Sequence, residues 1–135
     1  MESAPSLSVV RVACQPVSGG AQHPGDAMRW ACTWLLHNSG PEPLYLEDAW
    51  IPHGKFRGDG RFLLDTEIAP GASHSLDCAV TADEAPGTTV ENAFLILRVH
   101  IGGAAWRIFV RMRIEFDATA VPHPVVETIT TQSLE

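Results

Sequence analysis

Ser73-His74-Ser75 sets two hydroxyls beside an imidazole, the pairing on which nucleophilic acyl transfer is built. Along an extended strand, neighbouring side chains point to opposite faces, so these three do not meet one another. No Gly-x-Ser-x-Gly elbow presents a serine elsewhere. His23, His37, His53, His74, His100 and His123 are scattered, without His-x-His or His-Glu-x-x-His spacing. Asp59-Gly60 and Asp83-Glu84 read as turn residues rather than a calcium loop. No glycine-rich segment leads a strand into a helix to cradle phosphate. The chain is expected to be no enzyme and to carry no cofactor and no assigned metal ligand. A metal site assembled across strands by His and Asp is the minor alternative.

Cys14, Cys32 and Cys78 cannot all pair within one chain, and no Cys-x-x-Cys spacing links them. Each falls in phase with apolar neighbours: Val10 and Val12, Trp30 and Trp34, Leu76 and Val80. Three buried reduced thiols acting as small hydrophobes are expected. The N-terminus carries an acid at position 2, and Arg11 interrupts its only apolar run, so no secretory signal is read there. Together these point to a cytoplasmic protein. A disulfide or a thiolate metal site is the competing reading.

The elements that must position any site follow from a period-2 apolar pattern broken by Gly, Pro, Asn and Asp. Strands are expected over Leu7 to Val17, Met28 to His37, Leu44 to Ile51, Arg61 to Glu67 and Ser73 to Thr81. Two long strands follow, Glu91 to Ile101 and Ala104 to Asp117, and an edge strand over Val125 to Thr131 closes the chain. Ser18 to Asp26 and Pro52 to Gly60 read as loops. No stretch keeps a 3.6-residue apolar period, and ten prolines are spread along the 135 residues. The expected fold is all-β, an antiparallel immunoglobulin-like sandwich of about seven or eight strands with Greek-key connections. A jelly roll or small barrel is the alternative. One domain is expected over residues 1–135, with flexible ends at 1–5 and 132–135.

Asn38-Ser39-Gly40, Leu44-Tyr45-Leu46 and Ala69-Pro70-Gly71-Ala72-Ser73 carry a resemblance. Over roughly half the chain they resemble the pattern of bacterial immunoglobulin-like modules, such as the cell-adhesion-related and intracellular proteinase-inhibitor-like domains. There a strand ends at an Asn-x-Gly turn, and a Leu-x-Pro-Gly-x-Ser turn precedes the next strand; here Ile68 stands near the leucine position. The resemblance implies a binding or structural module and assigns no functional residue. The chain departs from antibody domains, because no cysteine lies in Ala104 to Asp117.

Gly102-Gly103 between the two long strands is a two-residue hairpin signal, because primed turns need positive φ. That turn sets a register. Val99 faces Trp106, Leu97 faces Ile108, Leu95 faces Val110 and Ala93 faces Met112, all apolar. On the other face Arg98 meets Arg107, Ile96 meets Phe109, Phe94 meets Arg111 and Asn92 meets Arg113. Like charges directly opposite repel, so carboxylates are expected nearby, with Glu47, Asp48, Asp77 and Glu115 as candidates. Alternatively an external partner covers the face, since aromatics with Arg and without Lys are typical of interfaces. Phe94, Ile96, Arg98, Arg107, Phe109, Arg111 and Arg113 are the candidate interaction face.

A second candidate is the stretch from Trp50 to Phe62, rich in aromatics, cations and glycine. A recognition loop there would present His53, Lys55, Phe56 and Arg57 beside Trp50. The other reading is a wide hairpin whose aromatics fold back over the core.

The net charge is −7, with eight arginines and Lys55 as the single lysine. An acidic chain without a basic run is a poor fit to nucleic acid or an anionic membrane. The expected function is a non-catalytic protein-interaction or structural module, binding another chain or a second copy of itself. A small-ligand or carbohydrate-binding module, stacking Trp50 or Phe56 on its ligand, is the alternative.

Overall fold

The structure is a computed structural model, and it describes residues 4–17 and 28–134. The expected loop from Ser18 to Asp26, His23, and the outermost residues of both expected flexible ends lie outside them. The described residues form ten strands: β1 (Leu7–Pro16), β2 (Arg29–Asn38), β3 (Leu44–Trp50), β4 (Pro52–His53), β5 (Phe56–Gly58), β6 (Phe62–Ile68), β7 (Ser73–Thr81), β8 (Thr89–Ile101), β9 (Ala104–Phe116) and β10 (Pro122–Ser133). They make two antiparallel sheets, β1-β2-β7-β5-β4 and β10-β9-β8-β3-β6. The chain crosses between sheets after β2, β3, β5, β6 and β7, and the last three strands form a meander. The sheets do not close into a barrel; the expected two-layer sandwich is what forms.

Strand alternation decides the core. On β2, Trp30, Cys32, Trp34 and Leu36 point inward and are buried. On β8 and β9, Leu95, Leu97, Val99, Ile108, Val110 and Met112 meet them from the other sheet, each fully buried. The indole N–H of Trp34 donates to Met112 Sδ at 3.4 Å, joining the two sheets at the centre. Trp30 donates its indole N–H to Ala82 O at 2.8 Å.

Gly102 and Gly103 take φ of 55° and 88°, the positive values a type I′ turn demands. The hairpin register is the expected one from Val99↔Trp106 through Ala93↔Met112. It fails beyond that point. A bulge lies between Val90 and Ala93, and Asn92, at φ 56°, does not pair with Arg113. β10 is the expected edge strand but is longer, so Gln132 and Ser133 pair with β9 rather than forming part of a loose end.

Further bulges shape the sandwich among the described residues, at Val10 of β1 against β2, Glu47 of β3 against β8 and Glu127 of β10 against β9, while on the β6 side Leu64 and Asp65 together face Glu47. Each of the first three inserts one residue that has no partner on the strand it faces there. The expected loop over Pro52 to Gly60 is instead the β4–β5 hairpin, joined to the first sheet through β7.

Between β9 and β10, Asp117 organises a tight loop. Its Oδ1 accepts from Thr119 N at 2.8 Å, Thr119 Oγ1 at 2.8 Å and Val121 N at 3.0 Å. Its Oδ2 lies 2.8 Å from His123 Nε2. The hydrogen bond from His123, followed by those from Val121 and Thr119, holds this carboxyl well below the usual carboxylate range. A depressed folded-state pKa stabilises above the unfolded value of about 3.9 and is lost as pH falls below it. Acid titrations of urea stability should therefore decline below pH ~4, and Asp117→Asn should flatten that decline. An unchanged slope in the variant would contradict the loop's role.

Candidate interaction face

The outward side of the second sheet gathers all seven residues of the candidate face. Phe94, Ile96 and Arg98 come from β8, and Arg107, Phe109, Arg111 and Arg113 from β9. Ladder partners set the rows. Trp50, Ile96 and Phe109 lie side by side across β3, β8 and β9. Asp48, Arg98 and Arg107 form the next row. Phe94 and Arg111 form the row on the other side, and Phe94 meets Phe109 edge-to-face at 6.3 Å between centroids. Phe94, Ile96, Phe109 and Trp50 are all half-buried, a shallow apolar strip rather than a second core.

The arginines are neutralised from the flanks, and the bulges do it. Glu47, the extra residue of the β3 bulge, lies 2.9 Å from Arg98 Nε and 3.2 Å from His100 Nε2. Glu127, the extra residue of the β10 bulge, lies 3.0 Å from Arg113 Nη1 and 3.8 Å from Arg111 Nε. Arg113 also meets Glu115 at 3.1 Å, and that hydrogen bond, with the charges of Glu115 and Glu127, raises its guanidinium pKa further. Of the four carboxylates expected to serve this face, Glu47, Asp48 and Glu115 are present. Asp77 is on the other sheet, where it accepts from Thr33 Oγ1 at 2.6 Å. Glu127 was not among the candidates, because a bulge carries no signal in an alternating pattern.

Arg107 is the exception. Among the described residues no carboxylate reaches it; its Nε is buried without a hydrogen-bond acceptor, as are those of Arg98 and Arg111, whose approach to Glu47 and Glu127 is an ion pair rather than a hydrogen bond. Its guanidinium carbon sits 5.8 Å from the Trp50 ring centroid, while Arg61 covers the same indole at 4.1 Å. Asp48, buried at the end of this row, reaches only Arg61 among the described residues, at 3.8 Å.

The candidate recognition loop is corrected. Phe56 is fully buried in the core, so it is not at a loop tip. The β4–β5 hairpin folds it inward between the sheets, and His53 Nδ1 accepts from Lys55 N at 3.0 Å to close the turn. Lys55 lies 4.0 Å from Glu84, and Arg57 is exposed. Trp50 belongs to the second sheet's outer strip, not to this hairpin. Phe56 is thus withdrawn from solvent, and the Trp50 ring lies under Arg61.

No protein-family model and no curated protein sequence matches this chain. The site must therefore be judged on its own chemistry. The pairing of hydroxyl and imidazole that does form is Ser73 Oγ with His37 Nδ1, at 3.0 Å across β7 and β2. It lies exposed, with no carboxylate hydrogen-bonded to His37 among the described residues. Among the described residues, no three His, Cys, Asp or Glu side chains come together as a metal site. Among them also, no helix is long and apolar enough to cross a membrane. An open cleft of about 320 Å³ beside the hairpin turn is lined by Glu42, Pro43, Tyr45, Glu67 and His100.

The expectation of three reduced thiols is also corrected: Cys14 and Cys32 are joined as a disulfide between β1 and β2, and Cys78 is free. The two strands pair in a register that sets Cys14 directly opposite Cys32. That register depends on the bulge at Val10, which the apolar phase alone does not reveal.

Proposed function

We propose that this protein is a non-catalytic association module that pairs through the outer face of its second sheet with a second copy of itself. The observation carrying this reading is the strip of Trp50, Ile96, Phe109 and Phe94 ending at Arg107, a cation without a carboxylate partner among the described residues. Every other arginine of the face has one. The face is large enough. Its five strands, of 7 to 13 residues at ~3.4 Å per residue and each ~4.8 Å wide, give about 850 Å². A standard interface buries about 800 Å² per partner. A second copy also brings the exposed carboxylate of Glu67 on the same face, so a two-fold packing offers Arg107 an acid. The strand order β1-β2-β7-β5 opposite β9-β8-β3-β6 supports the immunoglobulin-like reading of the sandwich, and with it a binding role.

Phe109→Asp is the test. It places a carboxylate in the middle of the strip and opposite Ile96. In light scattering across a hundredfold dilution series, the wild type should run as a dimer and the variant as a monomer. A buried aromatic anchor of this kind is worth about 2–4 kcal/mol of association, or roughly 30- to 1,000-fold in Kd. A wild type that stays monomeric throughout would end the self-association reading.

A further inference from the structure

All three cysteines stand in one row. Cys14 on β1 is the ladder partner of Cys32 on β2, and Cys32 is the ladder partner of Cys78 on β7. Directly opposed residues of an antiparallel ladder project to the same side of the sheet. The row therefore lies on the core side, with Cys32 buried in the middle and its two neighbours half-buried. Cys14 and Cys32 are disulfide-bonded with their Cα atoms 4.2 Å apart. So short a separation marks a pair that exchanges no backbone hydrogen bonds. A residue within a sheet sends its N–H and C=O to the same side, so Cys32 bonds its backbone toward β7. Cys32 and Cys78 are then a hydrogen-bonded pair, with an expected Cα separation of about 5.5 Å. That falls inside the Cα range of about 4.4–6.8 Å over which disulfides form, but the Cβ atoms of such a pair stand about 5.5 Å apart and close by about 1 Å to make the bond, so the strands shift as it forms. Cys14 and Cys78 are two strand spacings apart, about 10 Å, and cannot be bridged.

The same row gives the direction of approach. Thiol–disulfide exchange needs a thiolate that attacks one sulfur from the side opposite the leaving sulfur. Cys78 stands on the far side of Cys32 from Cys14; its Sγ lies against Gly58 of β5 and donates to Ala79 O at 3.3 Å, so the side chain turns from that bond toward β2 before it attacks. It also borders an open cleft of about 250 Å³ with Asp59, Phe62, Asp77 and Ala79, through which a proton can leave.

We infer that Cys32 is a shared disulfide partner, able to hold its bond with Cys14 or with Cys78, and that exchange between the two releases the edge strand β1. Cys78 gives its proton to solvent and its thiolate attacks Cys32 Sγ. The Cys32–Cys78 bond forms as the Cys14–Cys32 bond breaks, and Cys14 departs as a thiolate that takes up a proton. One disulfide and one thiol remain, so no oxidant or reductant is consumed. In the exchanged form β1 keeps its backbone hydrogen bonds to β2 and the packing of Leu7, Val9 and Val12 on the core but loses its covalent tie, and a thiol appears on the sheet edge. Exchange is slow near neutral pH. Burial pushes the Cys78 thiol up to about 11, with Asp59 adding to the shift and Arg29 opposing it. Arg29 is itself ion-paired with Asp59. Asp77, on the cleft, is the remaining acid near the thiol.

Trypsin separates the three cysteines, because cleavage at Arg and Lys leaves them in residues 12–29, 30–55 and 62–98. The native protein would be incubated without reagent at pH 9, quenched in acid, alkylated with N-ethylmaleimide and digested. Expected are a major link between 12–29 and 30–55 and a minor link between 30–55 and 62–98, in about 1–10% of molecules. No link between 12–29 and 62–98 should appear. A sample scrambled in urea supplies the reference in which all three pairings occur. The first link alone, or all three in the urea proportions, would overturn the inference.

Discussion

Phe56→Ala should destabilise the protein by about 3–5 kcal/mol, the usual cost of emptying a buried phenylalanine site. Urea titration at 25 °C would measure it. The ring is fully buried although it belongs to the short hairpin Pro52–Gly58 at the rim of the first sheet, flanked by exposed Lys55 and Arg57. It is the apolar anchor that fixes the β4–β5 hairpin to the body of the sandwich. Lys55→Ala and Arg57→Ala, on the same hairpin, should stay within about 0.5 kcal/mol of wild type. If Phe56→Ala cost no more than its charged neighbours, the ring would be at the surface and the recognition-loop reading would return.

Asn38→Ala should cost about 2–4 kcal/mol, because it leaves several backbone groups without partners at once. The Asn38 side chain is buried and fully used. Its Nδ2 donates to Glu42 O at 2.8 Å and Ile68 O at 2.9 Å, and its Oδ1 accepts from Gly40 N at 3.0 Å. Its backbone is tied to Ala72 and Gly71 as well. One residue thus joins the end of β2, the following turn and the β6–β7 turn. Asn38→Asp would be a sharper probe. The introduced carboxyl faces two carbonyl oxygens, so the folded state prefers it protonated. A folded-state pKa raised above the unfolded value means stability falls as pH rises through the carboxyl range. Thermal unfolding of that variant at pH 4 and pH 7 should show the lower midpoint at pH 7.

Much of this was legible in the residues, and what was not has a common cause. The Gly102-Gly103 turn and the alternation of Trp106, Ile108, Val110 and Met112 set the β8–β9 register, because turn and pattern agree. Strand spans from Leu44 onward were close, since Pro and Gly punctuate them. The misses sit at bulges. The Asn92 bulge broke the last pair of the hairpin, the Val10 bulge set Cys14 against Cys32, and the Glu127 bulge supplied the carboxylate for Arg111 and Arg113. A bulge adds one residue without changing composition, so a period-2 pattern does not betray it. Phe56 was ambiguous for a different reason. Its neighbours are polar, and only the packing of two sheets around the hairpin buries it.

The interleaving of the two sheets bears on how the chain reaches this state. The β8–β9 hairpin closes over two glycines, and hairpins of this kind form in roughly 1–10 μs. The first sheet instead needs β2 to find β7 across four intervening strands, two of which belong to the other sheet. Folds dominated by such distant pairings take milliseconds to seconds. For that interval the hairpin exists with one face wholly apolar and both long edges open, the form most prone to stack on its own kind. Its charges are then Arg98, Arg107, Arg111 and Arg113 against Glu91 and Glu115, a net positive patch in a chain that is acidic overall. Two such hairpins repel, while the acidic segments still to be placed are drawn in. Glu47 and Glu127 arrive with β3 and β10, the strands that cover those two edges. The arginines that crowd the finished surface thus guard the nascent one.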